Sequence, residues 1–187
     1  MYHEITRCRI CGCADLIPII DLGMQALTGV FPRSRDERIT TGPLELVKCD
    51  ERAGGCGLTQ LRHSYEAAEM YGQNYGYRSG LNQSMVRHLR SKVARISELV
   101  PLGRGDLVID IGANDSTTLQ AYDLDGPELV GIDPTGVKFR QYYPDHIRLI
   151  PDFFSAAGFQ REFGARRARV ITSIAMLYDL EEPGRFF

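Results

Sequence analysis

Leu107-Val-Ile-Asp110-Ile-Gly112-Ala-Asn114-Asp115-Ser116 is the stretch that decides the fold. A short apolar run rich in β-branched residues, closed by an acid and a glycine, predicts a buried parallel strand. The residues after Gly112 predict a tight turn into a helix. Downstream, Leu129-Val-Gly-Ile-Asp133-Pro134 repeats the pattern one βαβ unit later. Two more β segments follow, Ile147-Arg-Leu-Ile150 and Arg169 to Ile174, leading into Pro151-Asp152-Phe153-Phe154 and Ala175-Met-Leu-Tyr178-Asp179. Four β segments alternating with helical stretches predict an α/β fold with a right-handed, doubly wound, Rossmann-like sheet. Ligands in such sheets bind beyond the carboxyl ends of the strands. Gly112, Asp133, Asp152 and Tyr178 fall there.

The glycine pattern bears on which cofactor fits. A dinucleotide site needs G-x-G-x-x-G, so that backbone N–H groups reach a pyrophosphate. The turn here, Gly112-Ala-Asn114-Asp-Ser116, has one glycine. It suits S-adenosyl-L-methionine better than NAD. Asp110 closes the first strand, Gly112 allows close approach, and Asp133 can accept from ribose hydroxyls. Asp152 can meet the adenine amino group and Phe153 its ring face. A fold without a cofactor stays open as the alternative.

Upstream, residues 65–77 carry Tyr65, Tyr71, Tyr75 and Tyr77, followed by Arg78-Ser79-Gly80. A helix is predicted from about Ser79–Asn82 to Val100, with Met85, Leu89, Val93, Ile96 and Leu99 at spacings of three or four. Pro101 and Gly103 end it. His88 sits beside that apolar face, where a histidine is more often a structural hydrogen-bonding group than a catalyst. The tyrosines read first as packing, and second as a substrate lid.

All five cysteines lie in the first third. Cys8-Arg-Ile-Cys11-Gly12 is a C-x-x-C knuckle with a glycine for its turn. Cys49 and Cys56 are more widely spaced, but Gly54-Gly55 can fold the extra residues into a bulge. Cys8, Cys11, Cys49 and Cys56 are expected to hold a structural Zn2+ tetrahedrally. Cys13 is spare. Buried free thiols or a redox pair are the alternatives. Between the knuckles run Leu16-Ile-Pro-Ile-Ile20 and Leu44-Glu-Leu-Val47, separated by a turn-rich stretch containing Gly23, Gly29, Pro32 and Pro43. This predicts a small β-rich module that packs on something.

Three segments are therefore expected. They are a zinc module over 1–64, a connecting or lid segment with its helix over 65–104, and half a cofactor-binding sheet over 105–187. The 22 Lys plus Arg against 24 Asp plus Glu give a formal charge of -2, which removes the broad electrostatic reason for a nucleic-acid partner. No apolar run is long enough to cross a membrane, and the N-terminus lacks a signal-peptide core. A cytoplasmic location is expected.

Together these pieces resemble the SAM-dependent C-methyltransferases of nucleotide-linked deoxy-keto sugars. The resemblance is carried by Cys8-x-x-Cys11-Gly, Asp21-Leu-Gly, Cys56-Gly-Leu-Thr-Gln-Leu61, Tyr75-Gly-Tyr77-Arg-Ser79-Gly80 with Met85 and His88, Asp110-Ile-Gly-Ala-Asn-Asp-Ser116, and Gly-Ile-Asp133-Pro134. Thr172 to Pro183 resembles the family's fourth-strand segment. Ser116 stands where the family has glycine. The resemblance implies a class I methyltransferase fold. Its cofactor contacts would come from Ser79, Asp110, Gly112, Asn114, Asp133, Pro134, Asp152 and Phe153. It implies proton removal beside a 4-keto group, with Tyr75, Tyr77, His88 and Asp179 as catalytic candidates. It also implies further strands, a Glu-His pair and a second α/β domain beyond residue 187. A homo-oligomer or a completing partner chain is expected on that account. A noncatalytic zinc- and SAM-binding module and a small-molecule O- or N-methyltransferase are the alternative functions.

Overall fold

A computed structural model describes residues 2–26, 32, 34–71, 75–123 and 125–186. The chain divides into two compact units, one of residues 1–76 with 178–187, the other of Tyr77–Leu177.

The first unit is built from short antiparallel sheets. β1 (Tyr2–Glu4) pairs with β5 (His63–Tyr65). β2 (Leu16–Ala26), β3 (Thr41–Cys49) and β4 (Thr59–Leu61) form a three-stranded sheet in that order. The register sets Leu16 opposite Cys49, so the hairpin returns the second cysteine pair to the first. Gly23 and Pro43, expected in a turn-rich stretch, lie inside β2 and β3 instead. β2 absorbs its glycine in a bulge, where Asp21 Oδ1 accepts from the Gly23 N–H at 2.8 Å. Gly29 lies outside the described residues. Ile17, Ile19, Ile20, Leu22 and Met24 of β2, an edge strand, are all exposed. Two short helices, α1 (Ala67–Tyr71) and α4 (Pro183–Phe186), complete this unit.

The second unit begins with α2 (Gln83–Leu99), capped by Asn82, whose side chain accepts from the Ser84 N–H. Leu89 and Val93 bury its apolar stripe, whereas Leu99 and His88 face solvent. The strands β6 (Leu107–Ile111), β7 (Glu128–Ile132), β8 (Ile147–Ile150) and β9 (Val170–Ser173) are all parallel, in the order β8-β7-β6-β9. This is the expected α/β architecture, and its order reverses between β6 and β9. A cofactor crevice is expected at that reversal. The core gathers Val93, Val108, Leu119, Tyr122, Leu129, Tyr143 and Ile147.

The crossovers differ from expectation. Among the described residues, only the third carries an α-helix, α3 (Ala156–Phe163). The described residues between β6 and β7 make a single 3-10 turn at Leu119–Ala121, and those between β7 and β8 make two, at Pro134–Val137 and Arg140–Tyr142. Asn114 and Ser116 adopt φ of 52° and 63°, which prevents a helix from starting directly after Gly112. Asp, Thr, Gly and Pro fill the remainder of these crossovers and favour turns.

Candidate metal centre and cofactor-binding turn

In the first unit the sulfurs of Cys8, Cys11, Cys49 and Cys56 all lie within 4.8 Å of one another. Cys8 Sγ is 3.6 Å from Cys56 Sγ, and Cys11 Sγ is 3.5 Å from Cys49 Sγ. Tetrahedral zinc with Zn–S bonds of about 2.3 Å places its sulfurs about 3.8 Å apart. The cluster therefore fits Zn2+. The wide second knuckle closes as a 3-10 turn over Glu51–Ala53, capped by Asp50 and released by Gly54 at φ 83°. Gly55 returns its N–H to Asp50 O at 2.8 Å.

Hydrogen bonding favours thiolate at Cys8 and Cys11, whereas burial and the neighbouring thiols push Cys49 and Cys56 up. Burial works to raise the Cys8 thiol, but N–H groups of Cys11 and Ile10 and the Gln60 amide outweigh it and bring it to about 6. Gln60, on β4, is buried and fixed by the Arg9 N–H and guanidinium at 3.1 and 3.2 Å. Its place among the ligand supports is not visible in a cysteine pattern. Cys13 stays outside the cluster, 3.8 Å from Asp15 Oδ2.

Also in the first unit, Tyr71 bonds to Asp179 and meets Tyr75 edge-on at 5.5 Å between ring centroids. Burial, then the Asp179 charge, pushes the Tyr71 phenol well up. Burial also raises Asp179 above the usual carboxylate range, against the pull of the Tyr71 bond. Tyr75 and Asp179 are thus joined through Tyr71, which spacing alone did not single out. The other two catalytic candidates belong to the second unit. Tyr77 is half-exposed, and its carbonyl accepts from Asn114 Nδ2 at 3.1 Å. His88 is exposed on α2.

The turn after β6 is held from several directions. Gly112 takes φ 74°, which a side chain would strain. Asn114 donates its N–H to Asp133 Oδ2 at 2.7 Å, and its carbonyl accepts from the Tyr143 hydroxyl at 2.9 Å. Its side-chain oxygen accepts from the Ser79 N–H at 2.9 Å. Ser116 is fully buried; it donates to Tyr142 O and accepts from Gln120 Nε2. Its side chain packs inward, so serine takes the left-handed position here without obstructing the outer side of the turn.

Asp133 is 6% exposed and caps the 3-10 turn that begins at Pro134. Beyond β8, Asp152 is exposed and accepts from the Phe153 N–H, and the Phe153 ring is 46% exposed. Asp110 is only 3% exposed and accepts from Thr172 Oγ1 at 2.6 Å. It lies within the sheet.

Burial pushes Asp110 up from 3.8 to about 7, and the Asp133 charge adds to this. An acid raised on folding carries no penalty below its unfolded pKa, and the penalty is complete above its folded one. This unit should therefore lose stability between about pH 4 and pH 7, by at most roughly 4 kcal/mol, and then level off. Asp110→Asn should flatten that dependence in urea melts across the range. An identical slope in wild type and variant would rule it out.

Residues 8–71 match a family model described as a zinc binding domain. The C-methyltransferase NovU of Streptomyces niveus is 33% identical over 134 residues, which cover 71% of this chain and 31% of that relative. The chain spans about a third of the length of the curated relative it matches.

Proposed function

Because the chain is a member, with partial coverage, of the NovU-like C-methyltransferase family, we propose that it supplies the zinc module and cofactor half of a SAM-dependent C-methyltransferase. Its substrate in this reading is a nucleotide-linked deoxy-keto sugar. The turn from Gly112 to Ser116, held against Asp133 at the carboxyl end of β6, is the observation that carries the reading.

S-adenosyl-L-methionine, when bound, supplies an electrophilic methyl group. Gly112 takes the left-handed conformation that the turn needs, with the Met176 side chain packed 3.4 Å from where its Cβ would stand. Asn114 is tied to Asp133 and to Ser79, and Asp133 keeps acceptor capacity for a ribose hydroxyl. Asp152 and Phe153, beyond β8, have an exposed carboxylate and ring face for an adenine. On the substrate, a proton must leave a carbon next to a ketone, and donors must face the oxygen that gains charge. Tyr77 and His88, in the same unit as that turn, are the groups offered for those tasks.

Calorimetric titration of the zinc-loaded chain with S-adenosyl-L-homocysteine tests the reading. One site per chain is the expected result. A folded, zinc-loaded chain that takes up no ligand would overturn it.

Assembly with another chain is the second reading, favoured by the exposed apolar side chains of β2 and by Ile171 on the terminal strand β9. Light scattering showing a monomer that turns over a 4-keto sugar nucleotide would remove it.

A further inference from the structure

Three segments of the second unit interlock around one buried carboxylate. Asp115 is 1% exposed. Its Oδ2 accepts from the Gly80 N–H at 2.9 Å and faces Arg78 Nη1 at 3.3 Å. Its Oδ1 accepts from the Thr117 N–H at 3.2 Å and the Thr117 hydroxyl at 2.5 Å. The Arg78 guanidinium lies 4.1 Å above the Tyr142 ring, and Tyr142 O in turn receives Ser116 Oγ. Asn114, beside Asp115, holds the same incoming segment at Tyr77 O and Ser79 N. Gly80 is obligatory here, since a Cβ would stand 2.6 Å from Asp115 Oδ2.

We propose that Arg78 and Asp115 form a positioning clamp that fixes residues 77–80 onto the turn after β6 and so sets the affinity of the cofactor site. The inference rests on the reading of that turn as the cofactor site. A carboxylate removed from water needs charge and donors around it, and Arg78 with the Gly80 and Thr117 N–H groups supplies them. The guanidinium is planar and sits between the carboxylate and an aromatic face, a place that an ammonium does not fill equally well. The clamp therefore orients Asn114 through Ser79 and Tyr77 without itself touching the ligand. No motif or matched residue assigns this role to Arg78 or Asp115.

The test uses the full zinc-loaded chain with Arg78→Met, Arg78→Lys and Asp115→Asn. Amide hydrogen exchange at Ser79 and Gly80 reads the clamp without any ligand. S-adenosyl-L-homocysteine titration reads its consequence. Arg78→Met should speed exchange at both amides and weaken binding about tenfold, the scale of one charge-assisted hydrogen bond. Arg78→Lys should recover part of each. Asp115→Asn should match Arg78→Met, and the double variant should add little to either. Wild-type exchange rates in both Arg78→Met and Asp115→Asn would overturn the proposal, as would faster exchange with unchanged affinity. Should the wild-type chain bind no ligand, the function proposed above fails, and exchange at Ser79 and Gly80 still decides whether the clamp exists.

Discussion

Cys49→Ser should release zinc and unfold the first unit while leaving the parallel sheet of the second intact. The reason is the poverty of the first unit's core. Among its described residues the buried apolar side chains are Cys8, Val47, Cys49 and Pro183, and two of these four are members of the thiolate cluster. β2 contributes almost nothing buried. A segment with so little apolar burial cannot offset the entropy of ordering its chain, so metal binding must supply the folding energy. Structural zinc contributes about 10 kcal/mol or more in small domains. Removing one thiolate or adding a strong chelator should thus exceed the effect of any single core truncation. Gly55→Ala should act in the same direction, because its Cβ would stand 2.4 Å from Cys49 Sγ and 2.6 Å from Asp50 O. Zinc content by mass spectrometry and dispersion of amide NMR signals from residues 1–71 are the readouts. Full zinc occupancy in Cys49→Ser, with unchanged signals, would contradict the assignment.

The parts legible from sequence were those whose signal is local. Cys8-x-x-Cys11-Gly12 encodes its own knuckle, and Gly54-Gly55 announced how the wider pair closes. The apolar run of β6 announced a buried parallel strand. The same feature hid the direction of Asp110. Every residue of β6 is buried, so no polar alternation marks which face a side chain takes. The crossovers were misread because strand-to-strand spacing fits a helix or a chain of 3-10 turns equally well. Positive φ at Asn114 and Ser116 decides between them. Arg78, Asp115 and Gln60 act across chain separations of 35 or more residues. Their roles are set by tertiary contact, and no periodicity records it.

Asp133→Asn should abolish measurable S-adenosyl-L-homocysteine binding and also destabilise the sheet. A carboxylate offers about four acceptor positions. Three are taken within the protein. Oδ1 accepts from the Thr135 N–H and hydroxyl, both at 2.6 Å, and Oδ2 accepts from the Asn114 N–H at 2.7 Å. One position, on Oδ2, remains for a ribose hydroxyl. Asparagine turns one oxygen into a donor that must then face the Asn114 N–H or the Thr135 N–H. Either arrangement leaves a buried N–H unsatisfied, at a cost of about 1–3 kcal/mol, and re-aims the turn after β6. Thr135→Val separates the two effects. It keeps the side chain's shape, removes one of the donors to Oδ1 and frees an acceptor there. If a second ribose hydroxyl is meant to use that position, affinity should hold or rise although the fold loses one hydrogen bond. Asp133→Asn should therefore lose affinity and Thr135→Val should not, while both lower the melting temperature. Binding in Asp133→Asn equal to wild type would mean that the carboxylate serves only the turn, and the cofactor reading of this end of the sheet would fall with it.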